Sequence, residues 1–390
     1  MKKLKIAIFS EVYHPTMNGV VVSIDTFKNE LTERGHEVYV FAPENKNFKD
    51  LKNVFRFPSF EIPGYNFYPI AYPWVKNTKL AGDWFEALKQ CDLVHSQHLF
   101  TMGNLGLRAA RATKIPIIYT YHTLIADYVH YMPIVGFLFK KYLISRSKKY
   151  CNLVDQVVTP SPSMRNVLLG YGVTTEIKPI PTGIQIENFQ RTASNEFRQK
   201  NGIDPEDKIL LFVGRLAQEK NVEFLIKAFE KINQNCPNSH LVLVGSGPQE
   251  KTYQNLAHGL KAGHKISFLG QQPKEETEKI FGWSDIFVFP SITDTQGIVI
   301  AEAMAAGTPP VAINRLGPTD VIDSGVNGYL VDLKEEDFVY RICELVQNNE
   351  KRERFAKAAQ EKAKEYSAQK CAQKMENLYS SILESKSTPP

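Results

Sequence analysis

Short apolar runs alternate with longer amphipathic stretches along the chain. In the first half this pattern predicts strands at 5–10, 37–42, 93–96, 116–121 and 156–160, and helices at 20–34 and 103–113. Strands that alternate with helices imply a parallel sheet with helices on both faces. The first half is therefore predicted to be an α/β unit.

The same pattern starts again after residue 185. It predicts strands at 208–214, 241–245, 266–269 and 286–289, and helices at 222–233, 249–260 and 274–281. We predict two Rossmann-like domains, 1–185 and 186–365, and a C-terminal helix within 366–390 that returns to the first domain. Ligands bind beyond the carboxyl ends of parallel strands, so two such domains are expected to face each other across a cleft.

Composition supports a soluble chain with two full cores, since 43% of its 390 residues are hydrophobic. The five cysteines are scattered and show neither metal-ligand spacing nor a disulfide framework, as is usual in a reducing cytoplasm. We find no secretory leader and no run of roughly 18 apolar residues. We therefore expect a cytoplasmic protein.

Charge is unevenly distributed. Residues 1–185 contain 22 Lys and Arg against 14 Asp and Glu, whereas the remainder contains 25 against 28. A basic half could face an anionic membrane or a nucleic acid. No nucleic-acid module accompanies the charge, so we expect a membrane surface and no nucleic acid as partner.

Two acids, Asp294 and Glu302, stand eight residues apart on either side of a glycine. The residues around them predict the end of a strand, a polar loop and a helix N-terminus, which is an anion site. The acids could bind sugar hydroxyls while the first N–H groups of the helix face a phosphate, although a single acid on a helix is more often merely solvated. The donor-binding residues predicted here are Gln296, Gly297, Ile298, Val299 and Glu302.

Two cations follow the strand predicted at 208–214. Arg215 offers a bidentate fork and Lys220 a compact charge, a pair suited to a diphosphate that gains negative charge as it leaves. Either cation alone is usually a solvated surface charge. Their position at the end of a strand favours the functional interpretation.

Three glycines and one histidine lie at the ends of predicted strands or at the start of a predicted helix. Gly245 and Gly270 end strands, where a base or ribose of the donor could approach the backbone. Gly19 precedes a helix whose N-terminus could point at the phosphate or sugar of the donor, but it lacks the G-x-G-x-x-G spacing of dinucleotide sites. His122 directly follows a strand, although a lone histidine is more often structural. Asp127 and His130, a few residues later, are weaker candidates to face an acceptor hydroxyl.

Taken in this order along nearly the whole chain, these motifs resemble the retaining GT-B glycosyltransferases of the group with an E-x7-E motif. The resemblance implies that Arg215 and Lys220 bind the donor diphosphate and that Glu302 binds the ribose. It places Asp294 and His122 near the transferred sugar. Asp294 departs from the family's glutamate by one methylene, which bears on the choice of sugar.

The resemblance also implies that the reaction requires no metal ion or other cofactor, and the chain has no Asp-x-Asp motif. No second carboxylate stands out as a nucleophile. We therefore expect a dissociative displacement on one face of the sugar, with retention of the anomeric configuration.

Two segments of the first half suit a lipid acceptor. Residues 57–74 hold seven aromatics and four prolines, a composition unlike a regular core element, and residues 132–149 join an apolar block to five basic residues. A helix at 132–149 that simply packs on the sheet is the alternative. The acceptor or membrane residues predicted here are Tyr65, Phe67, Tyr72, Trp74, Phe137, Phe139, Lys140 and Lys141.

Within the family, residues 121–131 together with Asp294-Thr-Gln-Gly297 are most similar to transferases that glucosylate diacylglycerol. We therefore expect a peripheral membrane enzyme at the inner face of the membrane that moves glucose from UDP-glucose to diacylglycerol. Three alternatives stay open: another acceptor, such as phosphatidylinositol with GDP-mannose or a soluble sugar; a nucleotide-sugar epimerase or hydrolase; and a non-catalytic binding protein.

Overall fold

The computed structural model describes residues 2–45, 52–62, 65–72, 80–124 and 136–387. The chain forms two compact units. The first comprises Met1–Gly183 together with Ala368–Pro390, and the second comprises Ile184–Ser367.

The first unit is built on a parallel sheet. Its elements before residue 184 are β1 (Lys5–Phe9), α1 (Gly19–Glu33), β2 (Glu37–Pro43), β3 (Val54–Phe57), β4 (Ser59–Ile62), β5 (Tyr65–Ala71), α2 (Asp83–Lys89), β6 (Leu93–Ser96), α3 (Thr101–Thr113), β7 (Ile117–Thr120), α4 (Gly136–Cys151), β8 (Gln156–Thr159), α5 (Pro162–Gly170) and β9 (Ile177–Pro179). Seven described strands lie in the order β3-β2-β1-β6-β7-β8-β9, all parallel. The direction of winding changes between β1 and β6.

The second unit repeats the plan. Its elements are α6 (Asn195–Lys200), β10 (Lys208–Val213), α7 (Val222–Asn235), β11 (Ser239–Val244), α8 (Glu250–His258), β12 (Ile266–Phe268), α9 (Lys274–Trp283), β13 (Ile286–Phe289), α10 (Ile298–Ala305), β14 (Pro310–Ile313), α11 (Gly317–Val321), β15 (Tyr329–Val331), α12 (Glu335–Gln347) and α13 (Asn349–Ala363). The parallel order β12-β11-β10-β13-β14-β15 places the change of winding between β10 and β13. The central strands are continuous apolar runs, as both buried faces require.

The last helix, α14 (Ala368–Ser387), belongs to the first unit. Its apolar residues recur every three or four positions and join the core around α1, among them Met375 and Tyr379. The buried carboxylate of Glu376 accepts a hydrogen bond from Nε2 of His36 (3.1 Å) and one from the guanidinium of Arg34 (3.1 Å). These contacts fix the helix to the end of α1.

Most of the aromatic and proline-rich segment forms a separate hairpin. We expected residues 57–74 not to be a regular core element, and β4 and β5 pair antiparallel as a two-stranded sheet apart from the parallel one. Prolines are tolerated because strands at a sheet edge need not donate every N–H. The hairpin leaves Phe60 and Ile70 exposed, by 36% and 38%, so its surface is partly apolar, as the composition indicated.

Candidate active site

The second unit brings an ion pair to the point where its winding changes. Lys220 ends a short 3-10 turn after β10, and Asp294 lies in the loop after β13. Nζ of Lys220 is 2.9 Å from Oδ2 of Asp294, and both side chains are mostly buried. In open parallel sheets ligands bind at this position. The two residues meet although 74 positions separate them in the chain.

Hydrogen bonds hold the two loops together. The carbonyl of Glu219 accepts from the hydroxyl of Thr293 at 3.3 Å and from that of Ser291 at 3.5 Å. The ammonium of Lys220 lies 5.5 Å from the centre of the Phe289 ring, within the range of a cation–π interaction. The position of Lys220 is therefore set by backbone and ring contacts as well as by Asp294.

Asp294 also caps the start of α10. Its Oδ1 accepts hydrogen bonds from the N–H of Gly297 (2.6 Å) and of Gln296 (3.3 Å). We expected the N–H groups around Gln296 to Val299 to face a phosphate; those of Gln296 and Gly297 donate to the carboxylate here. The N–H groups of Ile298 and Val299 have no acceptor among the described residues, so they are available to an anion.

The two acids of the motif have opposite electrostatics. Burial raises the pKa of Asp294, but the charge and hydrogen bond of Lys220 and the two N–H donors outweigh it, so the net pKa is lowered. Burial raises the pKa of Glu302 to about 7, against the weaker effect of Lys274. Within the described chain, the carboxyl group of Glu302 makes no hydrogen bond or ion pair. Its carboxyl group can therefore accept from, or donate to, a ligand hydroxyl.

Three glycine loops lie side by side beyond the strands of this unit. The N–H of Gly214 donates to Val244 (3.0 Å), and that of Gly245 donates to the carbonyl of Gly270 (2.8 Å). A Cβ on Gly245 would lie 2.0 Å from the carbonyl oxygen of Gly214, so these backbones approach as closely as only glycine permits. Arg215 is the residue after Gly214, and its side chain is exposed.

His122 lies at the carboxyl end of β7 in the first unit. Its Nε2 is 2.6 Å from Oε1 of Gln97, which follows β6. Burial lowers the pKa of His122 to about 3, with smaller contributions from His98 and His95. The ring is therefore neutral near pH 7. Because the amide oxygen accepts, the proton is assigned to Nε2 and leaves Nδ1 as the basic nitrogen.

Two further residues of this edge, Glu11 and His98, were not predicted. Nδ1 of His98 accepts from the backbone N–H of Glu11 (3.1 Å), and Oε1 of Glu11 accepts from the N–H of Met102 (2.6 Å) at the start of α3. Burial raises the pKa of Glu11 to about 7, against the hydrogen bonds from Met102 and Gly103. Both residues lie where the winding of the first unit changes.

Gly19 is the first residue of α1, and an added Cβ would meet no atom within 4 Å. The side chain of Asn18 accepts from the N–H groups of Val20 and Val21, both at 3.0 Å. This cap reduces the anion-binding capacity that we expected of the helix start.

The described part of α4 packs on the first unit. Leu143, Ser147 and Tyr150 are buried at helical spacing, and the hydroxyl of Tyr150 donates to the carbonyl of Gly103 (2.8 Å). The opposite face exposes 59% of Tyr142. The alternative of a packed helix thus fits these residues, while the basic edge remains at the surface.

The structure describes the side chains of only some of the residues predicted to contact the acceptor or the membrane. Lys140 and Lys141 are exposed, and the ring of Phe139 lies 6.1 Å from that of Tyr142. The ring of Tyr72 lies 5.4 Å from that of Phe60. The candidates outside the described residues or side chains are Trp74, Asp127, His130, Tyr65, Phe67 and Phe137.

In the described ranges, no three His, Cys, Asp or Glu side chains are grouped so that they could hold a metal ion. None of the described helices is both long and apolar enough to span a bilayer.

Two family profiles match the chain in succession. Residues 17–188 match Glycosyltransferase Family 4, and residues 193–362 match Glycosyl transferases group 1. A Streptococcus pneumoniae protein named alpha-monoglucosyldiacylglycerol synthase is 33% identical over 321 residues, which cover 79% of this chain and 71% of that protein. A protein of the same name from Acholeplasma laidlawii is 28% identical over 98% of both chains.

Solved structures show the same fold. HepE from Anabaena, in complex with UDP and glucose, has a TM-score of 0.79 at 19% identity and covers 97% of this chain and 100% of its own. Sucrose-phosphate synthase from Thermosynechococcus elongatus has a TM-score of 0.77, also at 19% identity, and covers 98% of this chain and 100% of its own.

The chain therefore belongs to the group 1 glycosyltransferases of the GT-B fold. The predicted fold class, two Rossmann-like parallel-sheet units, is confirmed, and so is the resemblance inferred from the motifs. The individual roles of the site residues stay predictions.

Proposed function

We propose that the protein transfers glucose from UDP-glucose to diacylglycerol at an anionic membrane surface, with retention of configuration and without a metal ion. The geometric observation that supports it is the Lys220–Asp294 pair beside the open N–H groups of Ile298 and Val299. A cation and two N–H donors at one sheet edge suit a nucleotide diphosphate.

The acceptor is inferred from the two relatives whose name includes monoglucosyldiacylglycerol, one of which aligns over nearly the full length. The exposed basic residues of α4 and the exposed aliphatic and aromatic side chains of the β4–β5 hairpin suit a membrane surface. From these exposed side chains we propose peripheral attachment.

In the proposed reaction, the bond from the anomeric carbon to the diphosphate oxygen breaks while a bond to the acceptor oxygen forms on the same face. Lys220, Arg215 and the N–H groups of α10 stabilise the leaving diphosphate. A diphosphate oxygen takes the proton of the acceptor hydroxyl. We propose that Glu302 binds the ribose and that the neutral His122 lies near the reacting carbon.

The test is incubation of the purified protein with vesicles of dioleoylglycerol and phosphatidylglycerol, separately with UDP-glucose, UDP-galactose and GDP-mannose. We expect mass spectrometry to detect hexosyl-diacylglycerol with UDP-glucose and at least 100-fold less with Arg215→Ala, since the loss of one charge-stabilising donor typically costs this much.

Other outcomes would redirect the assignment. Product from GDP-mannose with phosphatidylinositol, or with a soluble sugar, would replace both donor and acceptor. Free sugar or an epimer formed without any acceptor would contradict glycosyl transfer as the main reaction.

A further inference from the structure

A carboxyl group occupies the start of α3 in the first unit. Oε1 of Glu11, two residues after β1, accepts a hydrogen bond from the N–H of Met102 at 2.6 Å. The N–H of Gly103 is a second donor to the same carboxyl group. Both N–H groups belong to the first turn of α3, where the helix itself offers them no carbonyl. Glu11 therefore caps α3 from the loop after β1.

Without this carboxyl group, the start of α3 would attract an anion. The helix has 13 residues, and its first N–H groups form the positive end of its dipole. The guanidinium of Arg146 lies beside the first turn, where it donates to the carbonyl of Leu99 (2.6 Å) and to Oδ1 of Asn104 (2.8 Å). The winding of the sheet changes here, between β1 and β6. A site of this kind binds phosphate readily.

The side chains of Glu11 and His98 can instead bind an uncharged hydroxyl group. Nδ1 of His98 accepts from the backbone N–H of Glu11 (3.1 Å), so the proton is assigned to Nε2. This Nε2–H makes no hydrogen bond among the described residues. Burial lowers the pKa of His98 to about 4 and raises that of Glu11 to about 7, so the ring is neutral near pH 7 and the carboxyl group only partly ionised. Both side chains can hydrogen-bond to a hydroxyl, whereas a phosphate would meet a carboxyl group in its place.

We propose that Glu11 is a specificity-determining residue that selects an uncharged acceptor. Its carboxyl group takes the N–H groups at the start of α3 that would otherwise bind the phosphate of an anionic acceptor. This inference rests on the proposed function and narrows the acceptor to lipids that have a hydroxyl group and no phosphate. Such an acceptor has no anionic group to place at α3, so Glu11 acts only against its charged competitors.

The test is a competition between two acceptors in one membrane. The purified protein is incubated with UDP-glucose and vesicles that contain both dioleoylglycerol and phosphatidylglycerol, an anionic lipid with hydroxyl groups in its headgroup. Mass spectrometry measures the fraction of the transferred hexose that is found on phosphatidylglycerol. Because both products form on the same vesicles, a general loss of activity or of membrane binding cancels in this fraction.

Two variants of Glu11 separate its charge from its place at the helix start. Glu11→Gln removes the charge but leaves an amide oxygen for the N–H of Met102. We expect it to raise the fraction on phosphatidylglycerol about tenfold, the effect of one partly buried charge near a helix N-terminus. Glu11→Ala also opens the N–H groups and should raise the fraction further. The Gln variant decides the result if the Ala variant does not fold.

Glu33→Gln is the matched control, because it removes an exposed carboxylate at the end of α1 in the same unit. It should leave the fraction at the wild-type value. An unchanged fraction in the active Glu11 variants would overturn the inference and leave Glu11 only as a cap of α3. Equal transfer to the two lipids by the wild type would also overturn it. A wild-type protein that forms neither glycolipid, although it binds UDP-glucose, would overturn the proposed function and this inference with it.

Discussion

Glu302 and Asp294 belong to one motif, but their surroundings give them opposite protonation behaviour. Asp294 has three hydrogen-bond donors and a lowered pKa. The carboxyl group of Glu302 has no hydrogen-bond or ion-pair partner among the described residues, and burial raises its pKa to about 7. An acid that is half protonated near neutral pH can both donate to and accept from ribose hydroxyls.

The raised pKa of Glu302 predicts a dependence of stability on pH. Because the folded state binds the proton more tightly, the stability that Glu302 contributes is full below pH 4.5 and falls as pH rises to about 7. Glu302→Gln should remove this loss, which we place at about 1–2 kcal/mol after solvent screening.

The check is thermal unfolding of Glu302→Gln and the wild type at pH 5 and pH 8. The difference in melting temperature, variant minus wild type, should be larger at pH 8 than at pH 5. A difference that does not change with pH would contradict the raised pKa. Asp323→Asn, which removes an exposed carboxylate of the same unit, is the control.

Some site residues were visible in the sequence and others were not. Asp294 and Glu302 have a fixed spacing across one loop and helix, so local pattern was sufficient. Glu11 and His98 are 87 residues apart in the chain and meet only because β1 and β6 are neighbouring strands. No periodicity or spacing encodes such a pair. The Lys220–Asp294 ion pair was likewise hidden, although both members were candidates.

At the scale of elements, the loops after β10, β11 and β12 act as one layer. Backbone hydrogen bonds join Gly214 to Val244 and Gly245 to Gly270, so the ends of three strands are bonded to one another. This layer precedes Arg215 and the turn that ends at Lys220. The backbone of the strand ends therefore positions the cations.

Gly245→Ala should disrupt this layer. At φ 129° a side chain is strained, and its Cβ would lie 2.0 Å from the Gly214 carbonyl oxygen. We expect a loss of at least about 2 kcal/mol in unfolding free energy, measured by urea denaturation. Gly270→Ala has φ 65° and no atom within 4 Å, so it should lose only about 1 kcal/mol. Equal losses would contradict the close approach.

Strands were predicted correctly from the sequence wherever they are short, continuous apolar runs. The strands at 93–96 and 286–289 have the predicted bounds. The β4–β5 hairpin was missed because its prolines and aromatics hide the period-two pattern. Its pairing also contains an irregularity between Phe60 and Ile62 that no local rule predicts.

At the scale of the whole molecule, two features distinguish the first unit: its excess of basic residues, and the C-terminal helix α14, which belongs to it although it follows the second unit in the chain. Residues 1–185 contain eight more basic than acidic residues, whereas the rest contains three more acidic. We predicted breaks after 185 and 365, and the units divide after 183 and 367. Charge can be counted from sequence, but the docking of α14 through Glu376 and Tyr379 needs the folded core.

The basic surface of α4 predicts salt-sensitive binding to anionic vesicles. Each lysine near such a surface contributes about 1 kcal/mol, so Lys140→Gln with Lys141→Gln should weaken binding roughly 30-fold in a sedimentation assay. Lys227→Gln with Lys231→Gln makes the same change of net charge on α7 and should have little effect. Binding that is lost equally in both pairs, or that survives high salt, would contradict this surface.

The most direct measurement is the initial rate of glucose transfer from UDP-glucose into chloroform-soluble product as the mole fraction of dioleoylglycerol rises in phosphatidylglycerol vesicles. We expect no product without dioleoylglycerol and a saturable rise with it, matched by release of UDP. UDP released at the same rate whether or not dioleoylglycerol is present, with no lipid product, would contradict diacylglycerol as the acceptor.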